Sequence, residues 1–257
     1  MDEHGMQQPE SSLWLDVFSE PEEEELSAIC GLAESCNKAD HTCYGAPDDA
    51  DLYLCLYRGE QLLSVLAAYS MGETFQGRNI TEISAFTDPE ERKKGYFKKL
   101  LGTLREQPEG DAVFRFAVYE TAVTDAVLRK LGAVRDHAEL IMKAELTQKP
   151  EPMEALNCMT VEEEDEDGEK VYYCRGTFSE CRVRLFQDRA YIFGVLTYAG
   201  HRREHRAEKL MHEVFSWLWN KGCAGAFLEV SDENTAAYQL YRKLGFRESE
   251  RITYYLV

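Results

Sequence analysis

Residues 202–211 read Arg202-Arg203-Glu204-His205-Arg206-Ala207-Glu208-Lys209-Leu210-Met211, and residues 92–101 read Arg92-Lys93-Lys94-Gly95-Tyr96-Phe97-Lys98-Lys99-Leu100-Leu101. Each basic stretch follows an apolar run with strand character, Ala190 to Leu196 in one case and Ile80 to Phe86 in the other. Each is answered farther along, by Lys243-Leu244-Gly245-Phe246 and by Lys130-Leu131-Gly132. A repeat of about 110 residues is too long for a solenoid unit and has the size of a small domain. The chain therefore reads as two copies of one fold, each carrying a basic turn between a strand and a helix.

Working outward, the first copy has a helix start at Ser19-Glu20-Pro21-Glu22-Glu23, with Ser19 as N-cap, Pro21 in the first turn and acids at the positive helix end. That helix is expected to run to about Ser35. Asp51 to Tyr57 and Gln61 to Ser70 form a hairpin around Arg58-Gly59-Glu60. Arg78 to Phe86 is a strand, Glu90 to Arg105 a helix with Phe97, Leu100, Leu101 and Leu104 on one face, and Ala112 to Val118 a strand. Thr121 to Leu131 is a helix and Ala138 to Leu146 a strand.

Thr147 to Leu156, with Pro150 and Pro152, reads as a linker, and the run Glu162 to Asp167 as a solvated loop or strand edge. The order then recurs. Val171 to Arg175 and Ser179 to Phe186 make a hairpin, Ala190 to Leu196 a strand, and Arg206 to Asn220 a helix. Ala224 to Val230 is a strand, Asn234 to Leu244 a helix and Glu250 to Val257 a strand. The second copy lacks a helix ahead of its hairpin. The expected division is a domain at residues 1–147, a linker at 148–160 and a domain at 161–257, each a mixed α/β sheet flanked by helices.

Hydrophobic residues make up 44% of the 257, which excludes disorder as the default. The net charge of -18 argues against nucleic acid and against anionic membrane surfaces, and an acidic field concentrates cationic ligands such as amines. The eight cysteines form no CxxC, and Cys55 and Cys174 lie in apolar runs where a free thiol acts as a small hydrophobe. Met1-Asp2-Glu3-His4-Gly5 has no signal-peptide character, and no stretch has the length of a membrane span. The expectation is a reduced cytoplasmic protein, with a homodimer among the assemblies it allows.

A strand, turn and helix in succession leave several backbone N–H groups unpaired at a positive helix end, a natural cradle for a pyrophosphate. Basic side chains in the turn add charge. The alternative is a basic first turn that merely pairs with nearby acids. One further block bears on this choice: Asn234-x-x-Ala237-x-x-Leu240-Tyr241-x-Lys243-x-Gly245-Phe246, which follows the strand Ala226 to Val230. Together with Arg202-x-x-His205-x-Ala207, it resembles the GNAT superfamily of acetyl-CoA-dependent acyltransferases, in which tandem domains are a known arrangement.

The resemblance implies that Arg202, Arg203, Glu204, His205, Arg206 and Ala207 cradle the CoA pyrophosphate, and that Val195, Leu196 and Thr197 line the pantetheine arm. It implies that Asn234 hydrogen-bonds that arm and that Tyr241 is the general acid for the departing thiolate. Extended to the first copy, it adds Phe86, Thr87, Arg92, Lys93, Lys94, Gly95, Tyr96 and Phe97 as a second cofactor surface. Glu229 is the nearest candidate base by strand position, with ordered water as an equal alternative.

The departures from the family pattern matter as well. His205 replaces the usual glycine, and Phe97 occupies the small-residue position of the first copy. Leu128 there stands opposite Tyr241, and Ala133 opposite Phe246. His201-Arg202-Arg203-Glu204-His205 also matches H-x-x-E-H, but that metal site needs both histidines on one face of an established helix. Ala199-Gly200 is a turn and three arginines would oppose a dication, so no metal is expected. The function implied is N-acetyl transfer to the primary amine of a small-molecule or amino-acid-like acceptor, centred on the second copy. The alternative is a non-catalytic CoA-binding sensor or interaction module.

Overall fold

The computed structural model describes residues 12–149, 159–166 and 168–257. The expectations for the N-terminal residues, for Cys158 and for most of the linker fall outside the described residues. The chain divides into two compact units. One comprises the described residues up to Asp136 together with Thr253–Val257, and the other comprises His137–Ile252.

Unit 1 contains β1 (Leu13–Phe18), α1 (Glu23–Asp40), β2 (Leu52–Arg58), β3 (Gln61–Phe75) and β4 (Arg78–Thr87). It continues through α2 (Tyr96–Arg105), β5 (Val113–Val118) and α3 (Ala122–Leu131). Its sheet runs β1-β2-β3-β4-β5 and is completed by the end of β12 (Arg247–Leu256), where Thr253 pairs with Val118 and Leu256 with Arg115. Helix α1 packs Ile29, Leu32, Ala33 and Cys36 on one face of the sheet, against Tyr53, Cys55, Val65, Ala67 and Phe86. Helices α2 and α3 cover the other face with Leu100, Leu101, Leu104 and Leu128. Burying such side chains contributes roughly 1.5–3 kcal/mol each.

Two helix starts differ from expectation. Helix α1 begins at Glu23 rather than after Ser19, because the Glu25 carboxylate accepts the Glu22 N–H at 2.7 Å in a capping box; the helix then extends to Asp40. Helix α2 begins at Tyr96 rather than Glu90, because Gly95 takes a left-handed conformation and a 3-10 turn occupies Pro89–Glu91. Strand β1 was not anticipated.

Unit 2 holds β6 (Val134–Glu145) from His137 onward, then β7 (Thr160–Glu166), β8 (Glu169–Gly176), β9 (Ser179–Phe186) and β10 (Arg189–Thr197). It continues with α4 (Arg206–Asn220), β11 (Gly225–Ser231) and α5 (Thr235–Lys243). The sheet order is β6-β11-β10-β9-β8-β7. The acid run of β7 forms an edge strand, where like charges discourage pairing with a further chain. Helix α4 has the expected bounds, and its buried Leu210, Met211, Val214, Phe215 and Leu218 follow helical spacing.

The strand closing each copy in sequence therefore belongs to the other unit. Residues 139–145 pair antiparallel with β11, from Glu139 opposite Ser231 to Glu145 opposite Gly225. This differs from the division at 147 and 161, because a strand's alternating pattern marks its buried face and not its partner.

Both helices of unit 2 pack on one face of its sheet. Among the described residues the opposite face carries no helix; there Tyr191 is stacked with Phe193 at 5.2 Å and with Phe227 at 5.1 Å, where unit 1 has α1. Gly225 is cramped: an added Cβ would lie 2.8 Å from the Ala144 carbonyl oxygen and 2.6 Å from the Arg189 guanidinium. Gly225→Ala is expected to destabilise unit 2 by roughly 1–3 kcal/mol, read from chemical denaturation. Cys55 and Cys174 are buried free thiols, as their apolar surroundings imply. No helix among the described residues is long and apolar enough to cross a membrane.

Candidate functional site

The two basic turns share one backbone path. Each leaves its strand through a 3-10 turn, Pro89–Glu91 or Ala199–His201, and then an extended arginine, Arg92 or Arg202. Next comes a left-handed residue, Lys93 at φ 69° or Arg203 at φ 64°, and after one more residue a left-handed N-cap, Gly95 at φ 87° or His205 at φ 56°. His205 thus adopts the conformation that favours glycine, at a cost of about 1–2 kcal/mol. Its Nδ1 lies 2.8 Å from Glu208 Oε2, which holds the ring beside the helix.

The helices that follow these turns differ from the other three. The N-termini of α1, α3 and α5 are closed by side chains: Glu25 accepts from Glu22 N, Thr121 from Thr124 N, and Asn234 from Ala237 N. Neither α2 nor α4 has a capping side chain. In α4 the first intrahelical bond runs from Lys209 N to His205 O at 3.0 Å, leaving the N–H groups of Arg206, Ala207 and Glu208 directed out of the helix end. Arg202 and Arg203 are exposed beside them.

Glu208 is the acid that this cluster needs to keep in check. Lys243 Nζ lies 2.6 Å from its Oε1, and with His205 it holds the carboxyl below the usual carboxylate range. The same ion pair ties the end of α5 to the first turn of α4. Arg206 meets Glu204 at 3.1 Å and lies over the Phe178 ring, whose other contact is His201, stacked at 3.6 Å. The hairpin before β9 thereby braces the turn, and Ser179 Oγ donates to the Arg206 carbonyl. The role of Phe178 had no signal in the sequence. That of Glu208 had one, its position three residues after His205.

Strands β10 and β11 pair in parallel from Arg189 opposite Gly225 to Tyr191 opposite Phe227, and then part. Beyond that point β10 breaks register with β9 between Phe193 and Leu196, with Gly194 at φ 60°. The break turns Leu196 outward, 44% exposed, while Val195 packs on the core and Thr197 ends the strand. Val195, Leu196 and Thr197 therefore lie beyond the point where β10 and β11 stop pairing, on the stretch of strand that precedes the α4 turn.

Tyr241 is 6% exposed, and its ring meets Phe246 edge-on at 5.8 Å. Gly245, at φ 95°, ends α5 so that Phe246 N donates to the Tyr241 carbonyl, a closure that pins the aromatic pair. Burial, with a smaller push from Cys181, raises the Tyr241 hydroxyl to about 12. Cys181 sits on β9 across from the irregular part of β10. No hydrogen bond holds the Tyr241 hydroxyl among the described residues.

Asn234 is exposed and caps α5 through Oδ1 at 3.2 Å, leaving its amide nitrogen as the available donor. Glu229 lies on the helix-free face, 3.4 Å from the Tyr191 hydroxyl. His201 and His205 each face a different glutamate, Glu204 and Glu208.

In unit 1 Arg92 and Lys94 are engaged, while Lys93 is exposed. Arg92 forms a bidentate pair with Asp40 at 2.7 and 2.8 Å, and Lys94 meets Glu91 at 2.8 Å. Arg58 and Lys94 hold the Glu91 carboxyl down to about 2, and Tyr96 donates to it. Phe97 turns inward onto Phe116 at 6.3 Å, and Leu128 is buried where unit 2 has Tyr241. Thr87 gives its carbonyl to Arg92 Nε and to the Cys36 thiol.

Unit 2 thus combines a parting pair of parallel strands with an uncapped, basic helix start, and residues 138–246 match the acetyltransferase (GNAT) family. That segment is similar to the acetyltransferases of this family. A GCN5-related N-acetyltransferase from Sphaerobacter thermophilus superposes over 95% of both chains, with a TM-score of 0.66 and 12% identity. A tandem GNAT protein from the clavulanic acid biosynthesis pathway superposes over 96% of this chain and 98% of its own, with a TM-score of 0.65 and 12% identity. The fold is thus a tandem of GNAT-like units. An aminoglycoside N(6')-acetyltransferase type 1 from Salmonella typhimurium is 32% identical over 65 residues, 25% of this chain. The corresponding enzyme from Serratia marcescens is 30% identical over 66 residues, 26% of this chain. The matches span 45% of the length of each of these curated relatives.

Proposed function

We propose that the chain is an acetyl-CoA-dependent N-acetyltransferase whose working site lies in unit 2, acting on the primary amine of a small-molecule acceptor. The observation that supports it most is one unit's combination of an uncapped α4 turn, a strand opening and a buried tyrosine with an unengaged hydroxyl.

The residues present suit the cofactor. The N–H groups of Arg206, Ala207 and Glu208, with exposed Arg202 and Arg203, match a pyrophosphate's acceptor oxygens and charge. Glu204 is paired with Arg206 and Glu208 with Lys243, so neither opposes an anion with a free charge. Acetyl-CoA supplies an acyl group activated as a thioester. Val195, Leu196 and Thr197 orient the arm that carries it, and the Asn234 amide nitrogen donates to that arm. Tyr241 stays protonated at neutral pH and gives its proton to the leaving sulfur as the amine nitrogen bonds to the carbonyl carbon. The proton lost by the amine passes to Glu229 or to water at the helix-free face.

The net charge of -18 favours cationic acceptors, and the resemblance to aminoglycoside acetyltransferases places amino sugars first in a trial panel. Acetyl-CoA is expected to raise the melting temperature at concentrations above its dissociation constant, and thiol release should follow on adding an amine from that panel. Absence of stabilisation would overturn the reading. Stabilisation without thiol release across the panel would favour a CoA-binding sensor.

A further inference from the structure

Unit 1 has its own parting strands, and a side chain stands between them. Strands β4 and β5 pair in parallel from Ile80 opposite Val113 to Ile83 opposite Phe116, and the pairing stops there. Continued in that register, Phe86 would lie beside Tyr119. Tyr44, from the segment between α1 and β2, occupies the gap. Its ring meets Phe86 edge-on at 6.1 Å and Tyr119 edge-on at 4.9 Å. Its hydroxyl accepts the Tyr119 backbone N–H at 2.6 Å.

The plugging segment is anchored along its length. Asn37 Nδ2 donates to the Tyr44 carbonyl at 2.8 Å, and Asn37 Oδ1 accepts the Tyr44 N–H at 3.0 Å. Asp40 takes both arms of Arg92, and the Cys36 thiol donates to the Thr87 carbonyl at 3.2 Å. The end of β4, the basic turn and the end of β5 are thus each tied to the stretch Cys36 to Tyr44. Among the described residues unit 2 has no such helix ahead of its hairpin, and Leu196, at the position of Phe86, is 44% exposed.

We propose that Tyr44 is an internal plug, filling in unit 1 the strand opening that unit 2 offers to a cofactor, so that unit 1 is a CoA cleft held shut by its own chain. This rests on the reading of unit 2 as the open cofactor site. The ring takes the place of a ligand's flexible arm, and the hydroxyl satisfies the strand N–H that such an arm would otherwise meet.

Titration calorimetry with CoA tests the plug. Tyr44→Ala, and Tyr44→Leu should the smaller side chain impair folding, are expected to bind a further equivalent of CoA beyond the wild-type chain. Tyr44→Phe keeps the ring in the gap and should gain none. A folded Ala or Leu variant with no gain would overturn the proposal. Hydrogen exchange on the wild-type chain gives a test that needs no variant. CoA should slow exchange across residues 195–209 and leave 84–99 unchanged, and slowing at 84–99 would equally overturn the plug. A wild-type chain that binds no CoA would remove the proposed unit 2 site, while the gain on opening Tyr44 remains a separate measurement.

Discussion

Tyr241→Phe is expected to lower acetyl transfer on the order of 10²–10³-fold while leaving acetyl-CoA affinity nearly unchanged. The substitution removes one oxygen and leaves the edge-on contact with Phe246 and the helix-end closure around Gly245 in place. Because that hydroxyl has no partner to abandon among the described residues, the fold should lose little stability. The effect should therefore fall on kcat, since the proton is needed only as charge develops on sulfur. Burial raises the hydroxyl to about 12, so the acid form persists as pH rises and would be lost only through that value. Wild-type turnover should accordingly show no loss from this group across neutral and mildly alkaline pH. Steady-state kinetics with a thiol-release readout decides the matter, and an unchanged rate would remove Tyr241 from the mechanism.

Ala207→Asp is expected to weaken CoA binding by at least about 100-fold while leaving the apo protein as stable as before, or slightly more so. Position 207 lies in the first turn of α4, where the free N–H groups point outward and no side chain caps the helix. A carboxylate there complements the helix dipole, worth roughly 0.3–1 kcal/mol, and occupies the donors a pyrophosphate would use. Stability and binding thus move in opposite directions, which separates this outcome from simple misfolding. Calorimetric titration and thermal melting of the same sample supply both readings. Retained affinity would move the cofactor away from the α4 turn.

The limits of sequence reading follow from what each signal encodes. Helix α4 was legible at both ends because its apolar residues keep helical spacing and a turn rich in charge precedes it. The start of α1 was misplaced because Ser19-Glu20-Pro21 and the Glu22/Glu25 box are competing caps, and the reciprocal Glu25 bond fixes the second. Equivalence of the two turns was visible in composition, yet the fates of Arg92 and Arg202 diverge through Asp40, a residue far from the motif. Tyr241 stood out only through family resemblance, since an aromatic at helical spacing is more often core than acid. The Tyr44 contacts had no sequence signal, because they depend on where two parallel strands stop pairing.

The exchange of closing strands bears on how the chain is made. Unit 1 gains the second partner of β5 only at Thr253–Val257, after every residue of unit 2 has left the ribosome. A nascent first copy must wait with an open sheet edge, a state prone to pairing with other chains. Folding in order of synthesis is thereby replaced by joint completion, and cutting the chain at its repeat boundary strips a strand from both products rather than freeing two domains.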